Sequence, residues 1–178
     1  LDGMKEKLSS GVRVADIGCG SGGAALLMGS TFPNSIIDGF DISRFALERA
    51  EERKSESGAH NVSFFDPREH PIADDHSYDL ICTFDCIHDM TQPTEMMKTI
   101  RKALKNDGAW LLVDIKAQET LELNVTKNPM ASLLYGISVL SCMSSAMSET
   151  GGEGLGTLGL SASRAESMAR QAGFTQFK

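Results

Sequence analysis

The chain has 178 residues, enough for one domain with a sizeable core. Hydrophobic residues make up 41% and charged residues 23%, an ordinary globular balance. A net charge of −7, with no Lys/Arg cluster, argues against a nucleic-acid partner held mainly by electrostatics, though not against a local basic patch.

Cys19, Cys82, Cys86 and Cys142 form no C-x-x-C pair, and no matching second pair stands at metal-ligand spacing. They read as buried small side chains in a reducing compartment, so a cytoplasmic protein is expected. No signal peptide is visible in the sequence. The start at Leu1 rather than methionine is what a piece of something longer would show.

Val12 to Ile17 reads as a buried strand, followed by a glycine loop. A helix from about Gly22 to Thr31 stops before Pro33. Ser35 to Asp41 is a second strand, and Ser43 caps a helix over Arg44–Ser57 that Gly58 ends. Asn61 to Phe65 and Tyr78 to Phe84 are the third and fourth strands. Met97, Ile100, Ala103 and Leu104 mark a helix over Thr94–Leu104. Asn106-Asp107-Gly108 is a turn into a fifth strand, Ala109–Ile115. Strands alternating with helices predict an α/β, doubly wound, Rossmann-like parallel sheet with helices on both faces. Such sheets bind ligands at the carboxyl ends of their strands.

The pattern changes after residue 116. Residues 128–148 carry no charge, but Pro129, Gly136 and repeated serines break the run, so a membrane span is not expected. Residues 117–160 read as a helical and loop insertion lining an acceptor pocket. Met130, Tyr135, Met143 and Met147 are candidates for its wall, or for plain core. Gly151 to Gly159 reads as a flexible loop without a lysine at phosphate-loop spacing. Residues 161–178 supply a last helix, Ala162–Ala172, and a short strand, Phe174–Phe177. The whole, 1–178, is read as one domain with a cofactor-binding core over 1–116.

Gly18, Gly20 and Gly23 satisfy G-x-G-x-x-G, the dinucleotide pattern. Asp16 sits two residues before the first of them, where a pyrophosphate would be repelled. Further acids fall at the predicted strand ends: Asp41, Asp66 and Asp85. A ring of carboxylates, with no Lys or Arg immediately beside the loop, suits a ligand with positive groups and no phosphate. S-adenosylmethionine (SAM) is such a ligand. Gly18, Cys19, Gly20 and Gly22 would allow close backbone approach to it, and the helix start beyond can receive its carboxylate. Asp41 would accept the ribose hydroxyls, Asp66 the adenine amino group, and Asp16 and Asp85 would favour the ammonium. Each acid also has a plainer role: a helix cap at Asp41, a turn at Asp66, a solvated loop at Asp85, a brace for the loop at Asp16.

"VADIGCGSG", "GFDIS", "SFFDP" and "YDLICTFDCIHDM" together resemble the successive signature segments of class I SAM-dependent methyltransferases. The later "LYGISVLSCMSSAMSE" and "GLGTLG" resemble a subgroup in which a winged-helix segment precedes the methyltransferase domain; no such segment is expected in these residues. The resemblance implies that Ile42, Pro67 and Phe84, which flank the acids in those segments, also line the cofactor site. It implies methyl transfer from SAM to a small-molecule acceptor. It also implies a final strand that this sequence does not reach, so that residues 174–178 would be poorly fixed or paired with another chain.

Methyl transfer needs alignment and, for some acceptors, a base. His88 with Asp89 is the candidate, because a free imidazole titrates near ~6.5. His88 can equally be a hydrogen-bonded structural residue. Asp85, His88 and Asp89 lack diagnostic metal spacing, and no metal is expected. A SAM-binding regulator without transfer activity, and an NAD-dependent oxidoreductase, are the other readings. Self-association, as a homodimer, is expected if apolar surface is left near residues 1–8 or on the 128–148 helices. Neither nucleic acid nor membrane is an expected partner.

Overall fold

Five strands form one sheet in the order β3-β2-β1-β4-β5 in the computed structural model, which describes residues 3–178. They are β1 (Arg13–Ile17), β2 (Ile36–Phe40), β3 (Val62–Phe65), β4 (Tyr78–Phe84) and β5 (Leu104–Val113). β1 pairs in parallel with both β2 and β4, and β2 with β3. A Cβ on Gly108 would stand 3.0 Å from the Tyr78 carbonyl oxygen at the start of β4, so the two strands lie close there, and the Asp85 N–H donates to Val113 O just past the end of β4. β5 therefore runs the same way. The order reverses beside β1, which places the switch point there.

The helices are α1 (Met4–Ser10), α2 (Gly23–Thr31), α3 (Arg44–Ser57), α4 (Pro93–Ala103), α5 (Leu121–Lys127), α6 (Ala131–Leu140), α7 (Cys142–Ala146) and α8 (Ala162–Gln171). None is long and apolar enough to cross a membrane. The Ser43 hydroxyl accepts from Ala46 N at the start of α3, and Gly58 ends that helix at φ 68°. The chain divides into two compact units, one of Leu1–Phe84 with Lys102–Leu112, the other of Asp85–Arg101 with Val113–Lys178.

In the first unit the core gathers Val14, Ala25, Leu26, Ile37, Val62, Leu80 and Cys82. Met4 and Leu8 of α1 belong to it, so the apolar side chains described in the first eight residues are buried; Leu1 and Asp2 lie outside the described residues. A polar knot ties the strand starts together. Asp38 accepts from the Tyr78 hydroxyl at 2.8 Å and from Arg13 Nε at 2.9 Å. The Arg13 guanidinium stacks 4.5 Å from the Tyr78 ring centre. Asp79 accepts from the Arg13 N–H at 3.1 Å and binds the Lys105 ammonium at 2.9 Å.

Three expectations are corrected. Asn106-Asp107-Gly108 lies inside β5 and does not precede it. Residues 174–177 form no strand: Phe174 N donates to Ala169 O and Gly173 N to Arg170 O, with Gly173 at φ 99°. This is a Schellman cap, and it takes the Phe174 amide that a sheet ladder would need. The 151–159 segment is not a loose loop. Leu155 and Leu158 are buried, and Gly156 N and Glu153 N donate to the carbonyls of His88 and Thr91. A Cβ at Gly156 would stand 2.8 Å from Met143 Sδ, so the close packing requires glycine there.

Candidate active site

The first cluster lies at the carboxyl ends of β1 and β2. Gly18, Gly20 and Gly22 all adopt left-handed backbone, at φ 72°, 53° and 76°. A Cβ on Gly22 would lie 2.5 Å from Phe64 Cζ. The loop is anchored by Gly18 N and Cys19 N, which both donate to Phe40 O. Asp41 fixes the rest. One of its oxygens accepts from Gly20 N and the other from Ser43 N, each at 2.8 Å. A carboxylate oxygen has two lone pairs, so each retains one for a further donor.

Asp16 stands in register between Gly39 of β2 and Cys82 of β4 and is 1% exposed. Its Oδ2 has no hydrogen-bond partner among the described residues. Burial pushes its pKa up to about 7; a bond from the Ala25 amide opposes this and the Asp41 charge adds to it. Burial, with Asp16 alongside, pushes the Cys82 thiol up to about 12. The expectation that no Arg or Lys attends the loop is corrected: Arg53 of α3 donates to the Ser21 carbonyl at 2.9 Å and its hydroxyl at 3.1 Å.

Asp66 is engaged by Arg68, whose Nη2 lies 2.5 Å away and also donates to Ile42 O. The Arg68 side chain, and then its backbone amide, hold the Asp66 pKa down at about 2. Ile42 is exposed, Pro67 half-buried, and Phe84 packs partly into the core.

The second cluster lies in the other unit. His88 sits on a one-turn 3-10 helix, Ile87–Asp89, and is 2% exposed. Its Nδ1 is 2.6 Å from Asp114 Oδ1, which also accepts from Ile115 N. Its Nε2 is 3.1 Å from Asp89 Oδ1, and Asp85 Oδ1 is 3.9 Å from Nδ1. Burial alone would lower the imidazole pKa, but Asp114, then Asp89 and Asp85, outweigh it and raise it. The Asp85 side chain is 63% exposed, that of Asp89 38% and that of Asp114 8%. Asp85 holds a left-handed φ of 55°, and burial raises its pKa, with His88 opposing and the Asp114 and Asp89 charges adding to the rise. Asp89 Oδ1 and Asp114 Oδ2 are buried without a hydrogen-bond partner among the described residues. Cys142 Sγ, which accepts from the Thr157 hydroxyl at 2.8 Å, completes a His88–Asp89–Cys142 group whose potential ligand atoms lie within 4.8 Å of one another. Asp85, His88 and Asp114 form a similar group.

The sequence profile of the methyltransferase domain family matches residues 8–173. The chain belongs to that family. The methyltransferase domain is 34% identical to the methyltransferase GfsG of Streptomyces halstedii over 119 residues, 65% of this chain and 42% of GfsG. It is 35% identical to a malonyl-[acyl-carrier protein] O-methyltransferase of Halalkalibacterium halodurans over 104 residues, 55% of this chain and 37% of that protein. The crystal structure of a SAM-dependent methyltransferase from Aquifex aeolicus superposes with a TM-score of 0.68 at 17% identity, covering 98% of this chain and 79% of that one. The matched stretch spans about two fifths of the curated relatives' length.

In this methyltransferase domain the glycine loop, Asp16 and Asp41 fall together, as do His88, Asp85 and Asp89. Sequence reasoning missed Asp114, Arg53 and Cys142 as members of these clusters. Asp114 carried a usable signal: it is one more acid at a strand end, hidden because the fifth strand was drawn through to Ile115. Arg53 and Cys142 carried none, since their contacts lie 32 and 15 residues away along the chain.

Proposed function

We propose that the chain transfers a methyl group from SAM to a small-molecule acceptor. The observation that carries this reading is the glycine loop. Its Gly20 amide is held by Asp41 and its base is the buried Asp16, an environment that repels a pyrophosphate and suits a sulfonium and an ammonium. Gly18, Cys19, Gly20 and Gly22 cradle the cofactor's methionine part, with Asp16 favouring its ammonium. Asp41 takes the ribose through its remaining lone pairs. Asp66, with Ile42, Pro67 and Phe84, serves the adenine end, Arg68 fixing the Asp66 carboxylate. Asp85 adds negative charge for the positive cofactor. His88 accepts a proton from the acceptor, with Asp89 as its partner in catalysis. The protein works in the cytoplasm, without nucleic acid or membrane.

Calorimetry with SAM, S-adenosylhomocysteine and NAD tests this directly. The first two bind and NAD does not; NAD binding without SAM binding overturns the reading. Transfer of labelled methyl from SAM into a cell extract then separates an enzyme from a SAM-binding regulator. The burial of His88 favours the regulator, and absence of any labelled product in a SAM-binding chain would establish it.

The domain also pairs with a second copy through α6. Met130, Leu133, Ile137 and Leu140 are exposed at spacings of three, four and three, a heptad seam on a helix without charge. Gly136 on the same helix has open space where a Cβ would stand. In a chain of net charge −7 this is a surface on which two copies meet without repulsion. Leu133→Glu with Ile137→Glu makes the protein a monomer in sedimentation analysis; a wild-type monomer at high concentration refutes the pairing.

A further inference from the structure

The His88 cluster has more negative charge than it can neutralise. Asp85, Asp89 and Asp114 face one imidazole, which is their only ion-pair partner among the described residues. Asp114 is more than nine-tenths buried, and its Oδ2 has no hydrogen-bond partner among the described residues. Asp89 Oδ1, also buried and unpartnered, stands 3.1 Å from His88 Nε2. If Nδ1–H donates to Asp114, Nε2 presents a lone pair to that oxygen. With the imidazole neutral, two acceptors face each other, and the Cys142 thiol that bonds Asp89 brings no charge. A buried carboxylate oxygen left this way costs free energy until a positive group meets it.

From the two unpartnered carboxylate oxygens around His88 we infer that the methyl acceptor is a cationic amine. This rests on the methyltransferase reading above. The exposed Asp85 carboxylate and the half-buried Asp89 carboxylate meet the ammonium. The ammonium proton passes through the Asp89 carboxylate to His88 Nε2 and returns to solvent by the same carboxylate after the product leaves, while Asp114 stabilises the imidazolium through Nδ1–H. The neutral nitrogen then attacks with its freed lone pair. The new N–C bond forms as the C–S bond of the sulfonium breaks, sulfur keeps that electron pair, and S-adenosylhomocysteine leaves. An alcohol acceptor would bring no positive charge, and Asp89 would have no cationic counterpart beyond the imidazole.

The test uses the full chain and pairs of probes on one skeleton: benzylamine against benzyl alcohol, and 2-phenylethylamine against 2-phenylethanol. SAM affinity is measured first, because a chain that binds no SAM overturns the methyltransferase reading itself. With S-adenosylhomocysteine bound, the amines bind at least about tenfold more tightly than the alcohols, as a desolvated charge pair requires. With SAM, labelled methyl appears on nitrogen. Asp89→Asn removes most of the preference without changing SAM affinity. Asp114→Asn moves the acid limb of the rate profile to lower pH, which a purely structural residue would not do. Equal binding, binding of neither probe, or transfer only to oxygen in a SAM-binding chain overturns the inference. So does one equivalent of tightly held zinc that is lost in Cys142→Ser, because His88, Asp89 and Cys142 would then serve a metal.

Discussion

At the glycine loop, backbone amides and strand register arrange the polar groups; around His88, side chains far apart in sequence do so. Asp16 lies between Gly39 and Cys82 because three strands are in register. His88 meets Asp114 because residues 26 apart converge, and Cys142 meets Thr157 in the same way. The first arrangement is repetitive and tolerates change in side chains that only fill space. The second fails when one member is replaced, because each buried acid depends on a specific partner. The predictions that follow try this contrast from its largest consequence to its smallest.

His88→Ala is the severest break. It lowers kcat by roughly 10²–10⁴ while SAM affinity, set at the glycine loop, stays near wild type. The wild-type rate falls on the acid side, and because Asp114, Asp89 and Asp85 raise the imidazole pKa above its usual value, that fall lies at higher pH than for a free histidine. Unchanged turnover in a folded variant removes His88 from the chemistry.

Asp16 comes next. Its folded pKa of about 7 lies above the unfolded carboxylate value, so between those values the folded state holds more protons than the unfolded one. The stability this provides is complete below about pH 4 and is lost as pH rises to about 7. Melting curves of Asp16→Asn do not show that loss, and relative to wild type the variant gains on the order of a few kcal/mol between pH 5 and pH 8. Parallel curves for the two proteins would place Asp16 in a wetter environment.

Asp41→Ala sharpens the contrast by striking the side chain that holds the Gly20 amide of the loop. It removes acceptors from Gly20 N and Ser43 N and weakens SAM binding by ~1–3 kcal/mol in calorimetry. Arg53→Gln has the smallest effect, because its bonds to Ser21 are solvent-exposed. SAM affinity falls by about twofold to fivefold, and a loss as large as that of Asp41→Ala would mean that the guanidinium touches the cofactor.

The same contrast explains what could be read from the sequence. The strands, α3 with its Ser43 cap, and the glycine loop with Asp16 and Asp41 all show in short-range pattern: alternation, caps, and acids at strand ends. The turn expected at Asn106-Asp107-Gly108 failed because strand pairing overrode local turn preference. The strand expected at residues 174–177 failed because the helix cap claimed Phe174 first. The pairing of Asp114 with His88 and the packing of the 151–159 segment could not be read, since each depends on contacts that no local window contains.

Arg13, Tyr78, Asp38 and Asp79 knot the sheet at the strand starts, with Lys105 closing the group. A slip of β1 by one residue would pull Arg13 out of that knot and leave the buried Asp38 carboxylate without its cation. Alignment is therefore secured at one end of the strands, and the loops at the other end are relieved of that duty. Those loops can be lengthened, shortened or exchanged without retuning the sheet, so new acceptor chemistry can be grafted onto this domain by altering its strand ends alone.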